Sequence, residues 1–286
     1  MFLYNKQVKE IQMEDKTKSK GELVFIGLGL YDEMDITQRG LQEIKKCDRV
    51  YAEFYTSKLV GLKDDQLGEK IGRTVTILNR DDVEKGDEIL SRAQHEHVVL
   101  LVPGDPMTAT THIDLRLRAL KKGIPTRVIH NSSIITAAPG LFGLQSYKFG
   151  RSTTLVLPEG NYFPVSPYHV IKENKERGLH TLVLLDIQSD KGRFMTANEG
   201  INLLLRLEKQ VKGNVLSEDT LICVASRVGS PDPLLAADII RNMINKDFGP
   251  PLHTIIIPGR LHFMEIEALI TIAHMPLESA EKIQKI

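Results

Sequence analysis

The 286-residue sequence has no tryptophan and only two cysteines, Cys47 and Cys223, and its 37 Lys+Arg are balanced by 37 Asp+Glu. Each shortage removes a class of protein. Two distant cysteines without a CxxC, each in or beside an apolar segment, exclude a disulfide framework and a cysteine-rich zinc site and imply a reducing, cytoplasmic compartment. Zero net charge leaves no basic excess to displace counterions from a nucleic acid backbone, so no nucleic acid partner is expected. The longest apolar runs, such as 98–102 and 221–225, are strand-sized against the ~20 residues that cross a bilayer, so no membrane partner is expected either. Also missing are the lysine-ended glycine loop of a P-loop, the HExxH of zinc proteases and the GxSxG elbow of hydrolases. The nine histidines read as surface or capping groups, and no metal site is expected. Residues 1–20 carry charges of both signs and no continuous apolar stretch, so they read as a disordered extension rather than a secretory signal.

What is present is an alternation of short β-branched runs with longer segments of helical period, the pattern of βα units and a largely parallel sheet. Strands are expected at 23–28, 49–55, 74–78, 98–102 and 126–130, with helices opening at Thr37, over 81–95 and over 108–122. The small-residue segment 131–150 reads as a hinge. Beyond it, strands are expected at 153–157, 181–187, 220–226 and 254–257, with helices at 168–177, 198–212, 234–244 and 262–272. The fold class is α/β in two α/β domains, 21–131 and 132–286.

Two loops invite a functional reading. Gly27-Leu28-Gly29-Leu30-Tyr31-Asp32 ends the first strand, but the third glycine of a dinucleotide fingerprint would fall at Asp32, so a plain βα turn is the better account of this motif alone. Pro103-Gly104-Asp105-Pro106, followed by Met107, Thr108 and the run to His112, puts Asp105 at the carboxyl edge of a buried strand, where α/β proteins bind ligands. An Asx turn with a threonine cap explains the same residues. Both accounts stand on sequence alone.

Taken in order, the pieces say more. The run 27–32, Ala52-Glu53-Phe54-Tyr55-Thr56-Ser57, Gly104-Asp105-Pro106, Ala109-Thr110-Thr111-His112, Val128-Ile129-His130-Asn131, Tyr147-Lys148-Phe149-Gly150, Gly178-Leu179-His180-Thr181-Leu182, Leu185-Asp186-Ile187 and Phe248-Gly249-Pro250-Pro251-Leu252-His253 closely resemble the diphthine synthase family over residues 22–275. The resemblance places the chain among the tetrapyrrole-methylase-like S-adenosylmethionine (SAM) methyltransferases. It implies a cofactor between two α/β domains, a homodimer, and translation elongation factor 2 as the protein substrate. The methyl acceptor would be the amine of a 3-amino-3-carboxypropyl chain on a histidine of that factor. The segment 158–161 looks like members that stop at the trimethylated product, diphthine. Carried over by motif, the cofactor positions are Leu30, Asp105, Thr108, Ser133, Ile134, Leu185, Val228 and His253. No general base is assigned; His112 and Glu159 are candidates by position. A tetrapyrrole or corrinoid methyltransferase, an RNA methyltransferase and a binding module using SAM as an effector are the rival readings.

Overall fold

The computed structural model describes residues 21–158, 160 and 162–284, so the extension expected at 1–20 lies outside the described residues. The first half is built on β1 (Glu22–Gly27), β2 (Arg49–Glu53), β3 (Val75–Leu78), β4 (His97–Val102) and β5 (Thr126–Ile129). They form one parallel sheet in the order β3-β2-β4-β1-β5. Parallel strands joined by helical crossovers need cover on both faces, and period-2 alternation supplies an apolar set to each. Val24, Ile26, Val99 and Leu101 pack toward Ile44 and Leu67, whereas Leu23, Phe25, Val98 and Leu100 pack toward Ile89 and Leu115. Helix Gln38–Lys46 starts where its sequence says, with the Thr37 hydroxyl accepting the Gly40 N–H at 3.0 Å.

Two helices differ from their expected extents. The segment 81–95 is not one helix but Arg80–Lys85 and Asp87–Ala93, broken at Gly86. That glycine has φ +65°, and a Cβ there would sit 2.5 Å from Leu115 Cδ1, so the break is built in. The helix after the Gly-Asp-Pro loop is His112–Lys121, which leaves Thr108 in the loop.

The second half holds β6 (Thr153–Leu155), β7 (Thr181–Leu185), a small β8 (Ile187–Gln188) and β9 (Arg193–Phe194) hairpin, β10 (Leu221–Ser226), β11 (Leu234–Ile239) and β12 (His253–Ile257). The main sheet runs β11-β10-β12-β7-β6. Here the expectation of parallel βα units fails: only β6 and β7 are parallel, and the other three pairings are antiparallel. The helix expected at 234–244 is β11 followed by a single turn, Ile240–Met243. A short apolar run suits either element, and here pairing with β10 across the loop 227–233 decides it. The sheet is covered by helices Ser166–Glu176 and Ala197–Val211 on one face and by Ile134–Leu141, Phe263–Ile272 and Leu277–Gln284 on the other. Both cysteines are core thiols, Cys223 within β10 and Cys47 donating to the Ile44 carbonyl at 3.2 Å. Among the described residues no helix is long and apolar enough to cross a membrane.

Candidate active site between the two sheets

Parallel order brings the carboxyl ends of β1, β4 and β5 to one edge of the first sheet, where Gly27 lies beside Val102 and Ile26 beside Ile129. Antiparallel order does the same for the second sheet with mixed ends. The end of β7, the end of β10 and the start of β12 coincide, with Thr254 opposite Leu184 and Ser226 opposite His253. Residues from the two edges line a common cavity of about 340 Å³. All eight residues expected at a cofactor line it: Leu30, Asp105, Thr108, Ser133 and Ile134 on one side, Leu185, Val228 and His253 on the other.

The first-sheet side is a tied set of loops. Gly29 and Gly104 exchange backbone hydrogen bonds, bridging the β1 and β4 loops. The Asp105 carboxylate accepts at Oδ1 from the Met107 N–H and the Thr108 hydroxyl, both at 3.0 Å. At Oδ2 it accepts from His130 Nδ1 at 2.7 Å and the Asn131 N–H at 3.3 Å. Burial alone would raise its pKa, but these donors outweigh burial and hold it below the usual carboxylate range. The ionised group is therefore spent on the loop, and its charge stands just behind the cavity wall. Asn131 carries the tie further, donating through Nδ2 to the carbonyls of Gly27 and Asp35, each at 2.9 Å. Asp35 in turn accepts the N–H groups of Leu30 and Tyr31. Asp32 turns away and caps its own short helix through Met34, so no carboxylate occupies the third-glycine position's cleft side. Ser133 caps helix Ile134–Leu141, its hydroxyl accepting the Ile135 N–H at 3.3 Å.

The second-sheet side sets Leu184, Leu185, Ile187 and Val228 beside polar residues, of which His253 is held at both ring nitrogens. His253 Nδ1 accepts the Ala197 N–H at 3.0 Å, which leaves Nε2–H to donate to the Pro250 carbonyl at 3.1 Å. Burial holds its pKa below the ordinary histidine value, so it is a neutral wall residue.

Of the two candidate bases, Glu159 lies outside the described residues, and His112 is not in the wall but behind it, 1% exposed. Its Nδ1 faces the Pro106 carbonyl at 3.3 Å, and its Nε2 meets the Tyr55 hydroxyl at 3.4 Å and Glu53 Oε1 at 3.6 Å. Tyr55 and Thr56 line the cavity. Glu53 is fully buried and accepts from the Tyr55 N–H, the Thr56 N–H and the Thr56 hydroxyl. Burial pushes its carboxyl up to about 7 against those hydrogen bonds and the charge of Arg80. Burial likewise lowers the His112 pKa. Glu53 is not among the residues expected at the site, and its one signal in the chain is a glutamate closing an apolar strand.

The comparisons with known proteins agree with this architecture. A family model described as Tetrapyrrole (Corrin/Porphyrin) Methylases matches residues 22–238, across both sheets. The chain is 51% identical over 250 residues to a diphthine synthase of Methanocaldococcus jannaschii, covering 86% of this chain and 97% of that one. It is 48% identical over 260 residues to a diphthine synthase of Methanothermobacter thermautotrophicus, covering 91% and 98%. A crystal structure of diphthine synthase superposes with a TM-score of 0.82 at 38% identity, covering 91% of this chain and 98% of the other. A putative diphthine synthase from Entamoeba histolytica gives 0.81 at 39%, covering 88% and 98%. Matched nearly end to end by such relatives, and folded as they are, the chain belongs to the diphthine synthase family, methyltransferases of the tetrapyrrole methylase class.

Proposed function

We propose that this protein transfers methyl groups from SAM to the amine of a 3-amino-3-carboxypropyl histidine on translation elongation factor 2, in three steps that end at diphthine. The observation that carries the reading is the convergence of both sheet edges on one cavity that mixes apolar walls with polar loops, a fit for a cofactor with an adenine, a ribose and an amino acid end. Leu30, Asp105, Thr108, Ser133, Ile134, Leu185, Val228 and His253 are its assigned contacts, which takes 21–131 and 132–286 as the two domains. A tetrapyrrole or RNA acceptor is not favoured, because the relatives above carry the diphthine synthase name.

SAM supplies, when bound, a methyl already activated by its sulfonium, so the chain itself needs no strong nucleophile. Its task is to hold the acceptor nitrogen in line, worth up to ~7–11 kcal/mol of barrier. Tying the β1, β4 and β5 loops through Asp105 and Asn131 gives that rigidity. The acceptor arrives as an ammonium and must lose one proton before each attack. In this reading the proton passes by way of the Tyr55 hydroxyl, which lines the cavity, to the buried Glu53–His112 pair, and returns through the same hydroxyl to water in the cavity before the next transfer. The protein acts in the cytoplasm, in keeping with its two buried free thiols. A homodimer is part of the reading, and exposed Tyr147, Phe263, Met264 and Leu277 are the apolar surface a second copy would cover.

The deciding experiment incubates elongation factor 2 bearing the 3-amino-3-carboxypropyl histidine with this protein and SAM and follows its mass. Gains of one methyl at a time, stopping at three, are expected. No gain with SAM still bound would overturn the acceptor assignment and leave the fold untouched.

A further inference from the structure

Beside the cofactor cavity runs a second groove of about 750 Å³, and the two share Tyr55, Arg80, Asp186 and Ile187 in their walls. These four residues form a neck between the groove and the cavity. Beyond it the groove is walled by Ile77 and Leu78 of β3 and by Leu157 and Tyr162 of the second half.

The two charges at the neck come from different halves, and each is only partly engaged: Arg80 by Glu84 and the more distant Glu53, Asp186 by two donors and the charge of Arg193. Arg80 is the first residue of a helix whose start is fixed by a capping box between Asn79 and Asp82. Its guanidinium lies over the Tyr55 ring, 5.1 Å from the centroid, a stacking that orients a planar cation. Its ion pair with Glu84 is stretched to 4.0 Å, and among the described residues it donates no hydrogen bond. Asp186 follows β7, and its Oδ2 accepts from the Leu157 N–H at 3.1 Å and Gln188 Nε2 at 3.0 Å. Its Oδ1 accepts nothing among the described residues, and no ion pair joins it to Arg80. A cation with free donors and a carboxylate with a free oxygen, both held in place at one constriction and not neutralising each other, match a ligand that carries both charges at once.

We infer that Arg80 and Asp186 form the subsite for the zwitterionic head of the acceptor, Arg80 taking its carboxylate and Asp186 drawing its amine toward the cavity. This rests on the acceptor proposed above, whose chain ends in an amine and a carboxylate on one carbon. The groove has room for the imidazole and the peptide bearing it. Arg80 reads the carboxylate through its fork of N–H donors, which an unmodified histidine cannot satisfy, so the same residue separates modified from unmodified factor. Asp186 attracts the nitrogen by charge, an attraction that survives when its N–H groups have been replaced by methyls.

The test uses the full chain with the modified factor and compares wild type, Arg80→Gln, Arg80→Lys and Asp186→Asn. Arg80→Gln is expected to raise the KM and the SAM-free Kd for the modified factor roughly 10- to 100-fold, the range for losing charge-assisted hydrogen bonds. SAM affinity by calorimetry should stay within about twofold, as expected for a group outside the cofactor contacts. Arg80→Lys should recover part of the loss, because it keeps the charge and gives up the fork. Asp186→Asn should raise the KM in the same direction. Unchanged acceptor affinity in Arg80→Gln overturns the subsite, and so does an equal loss of SAM binding, which would put Arg80 on the cofactor instead. Wild type that never methylates the modified factor would sink the acceptor assignment itself, before any variant is compared.

Discussion

Each half of the molecule buries a glutamate completely, Glu53 in the first and Glu265 in the second, and the surroundings treat them in opposite ways. Glu265 is saturated. It accepts the N–H groups of His262 at 2.8 Å and Gln145 at 2.9 Å, pairs with Lys148, and meets His180 Nε2 at 2.9 Å. Burial pushes its pKa up, but these partners hold it at about 2. Glu53 has hydroxyl and backbone donors, the charge of Arg80 and a histidine whose pKa burial lowers, and burial leaves it at about 7. One buried carboxylate is a latch, fixing helix Phe263–Ile272 to the segment before β6, and the other is poised to exchange a proton at neutral pH. The contrast follows position: Glu53 stands behind the cavity wall through Tyr55 and Thr56, whereas Glu265 is absent from the cavity's lining.

The strongest way to break this contrast is Glu53→Gln, expected to lower the methylation rate by about 10²- to 10⁴-fold with SAM affinity unchanged. The acid limb of wild-type kcat, expected near neutral pH, should vanish in the variant. A slower enzyme with the wild-type pH profile would reduce Glu53 to a structural prop. Glu265→Ala should act on stability instead, costing about 3–5 kcal/mol in denaturant unfolding, because half-buried Lys148 loses its carboxylate and buried His180 and the Gln145 and His262 N–H groups lose their acceptor. Its rate per folded molecule should stay close to wild type, and a specific loss of rate would erase the distinction.

Stability against pH separates the two as well. Glu53 has a raised folded pKa, so its contribution is present below about pH 4.5 and is lost as pH rises through about 7, roughly 3 kcal/mol in all. Glu265 has a depressed one, so its contribution is present above about pH 4.5 and is lost as pH falls toward 2, of similar size. Glu53→Gln should flatten the neutral window and leave the acid one intact. The smallest effect expected is from Asp105→Ala, which removes four accepted hydrogen bonds from the loop and should weaken SAM binding about 10-fold or somewhat more. Calorimetry giving the wild-type Kd would remove Asp105 from the cofactor assignment.

Legibility was uneven for the same physical reasons. All five strands of the first sheet could be read: β1 and β4, buried on both faces, are continuous apolar runs closed by turn residues, and the half-exposed edge strands β3 and β5 are short β-branched runs. In the second sheet β11 was misread as a helix, since Leu234-Leu235-Ala236-Ala237 fits either period and only its partner β10 chooses. Tyr147-Lys148-Phe149-Gly150 and Gly178-Leu179-His180-Thr181-Leu182 stood out as family marks, yet nothing in the chain said that Lys148 and His180 meet on Glu265. The eight cavity residues came from resemblance to a family. Composition and spacing alone offered only Asp105 and the glycine turn, each with an ordinary structural account.

By itself, then, the sequence determined the local and the additive: α/β alternation, the caps at Thr37 and Ser133, buried free cysteines, and the turn chemistry that ends β4. These depend on residues a few positions apart, whose energies are set before the chain is compact. Only the tertiary structure decided the direction of the second sheet, the saturation of one buried glutamate and the poise of the other, and the placing of Arg80 and Asp186 at one neck. A group's solvation and its charged neighbours are properties of what the fold brings within a few ångströms, and those neighbours lie far away along the chain.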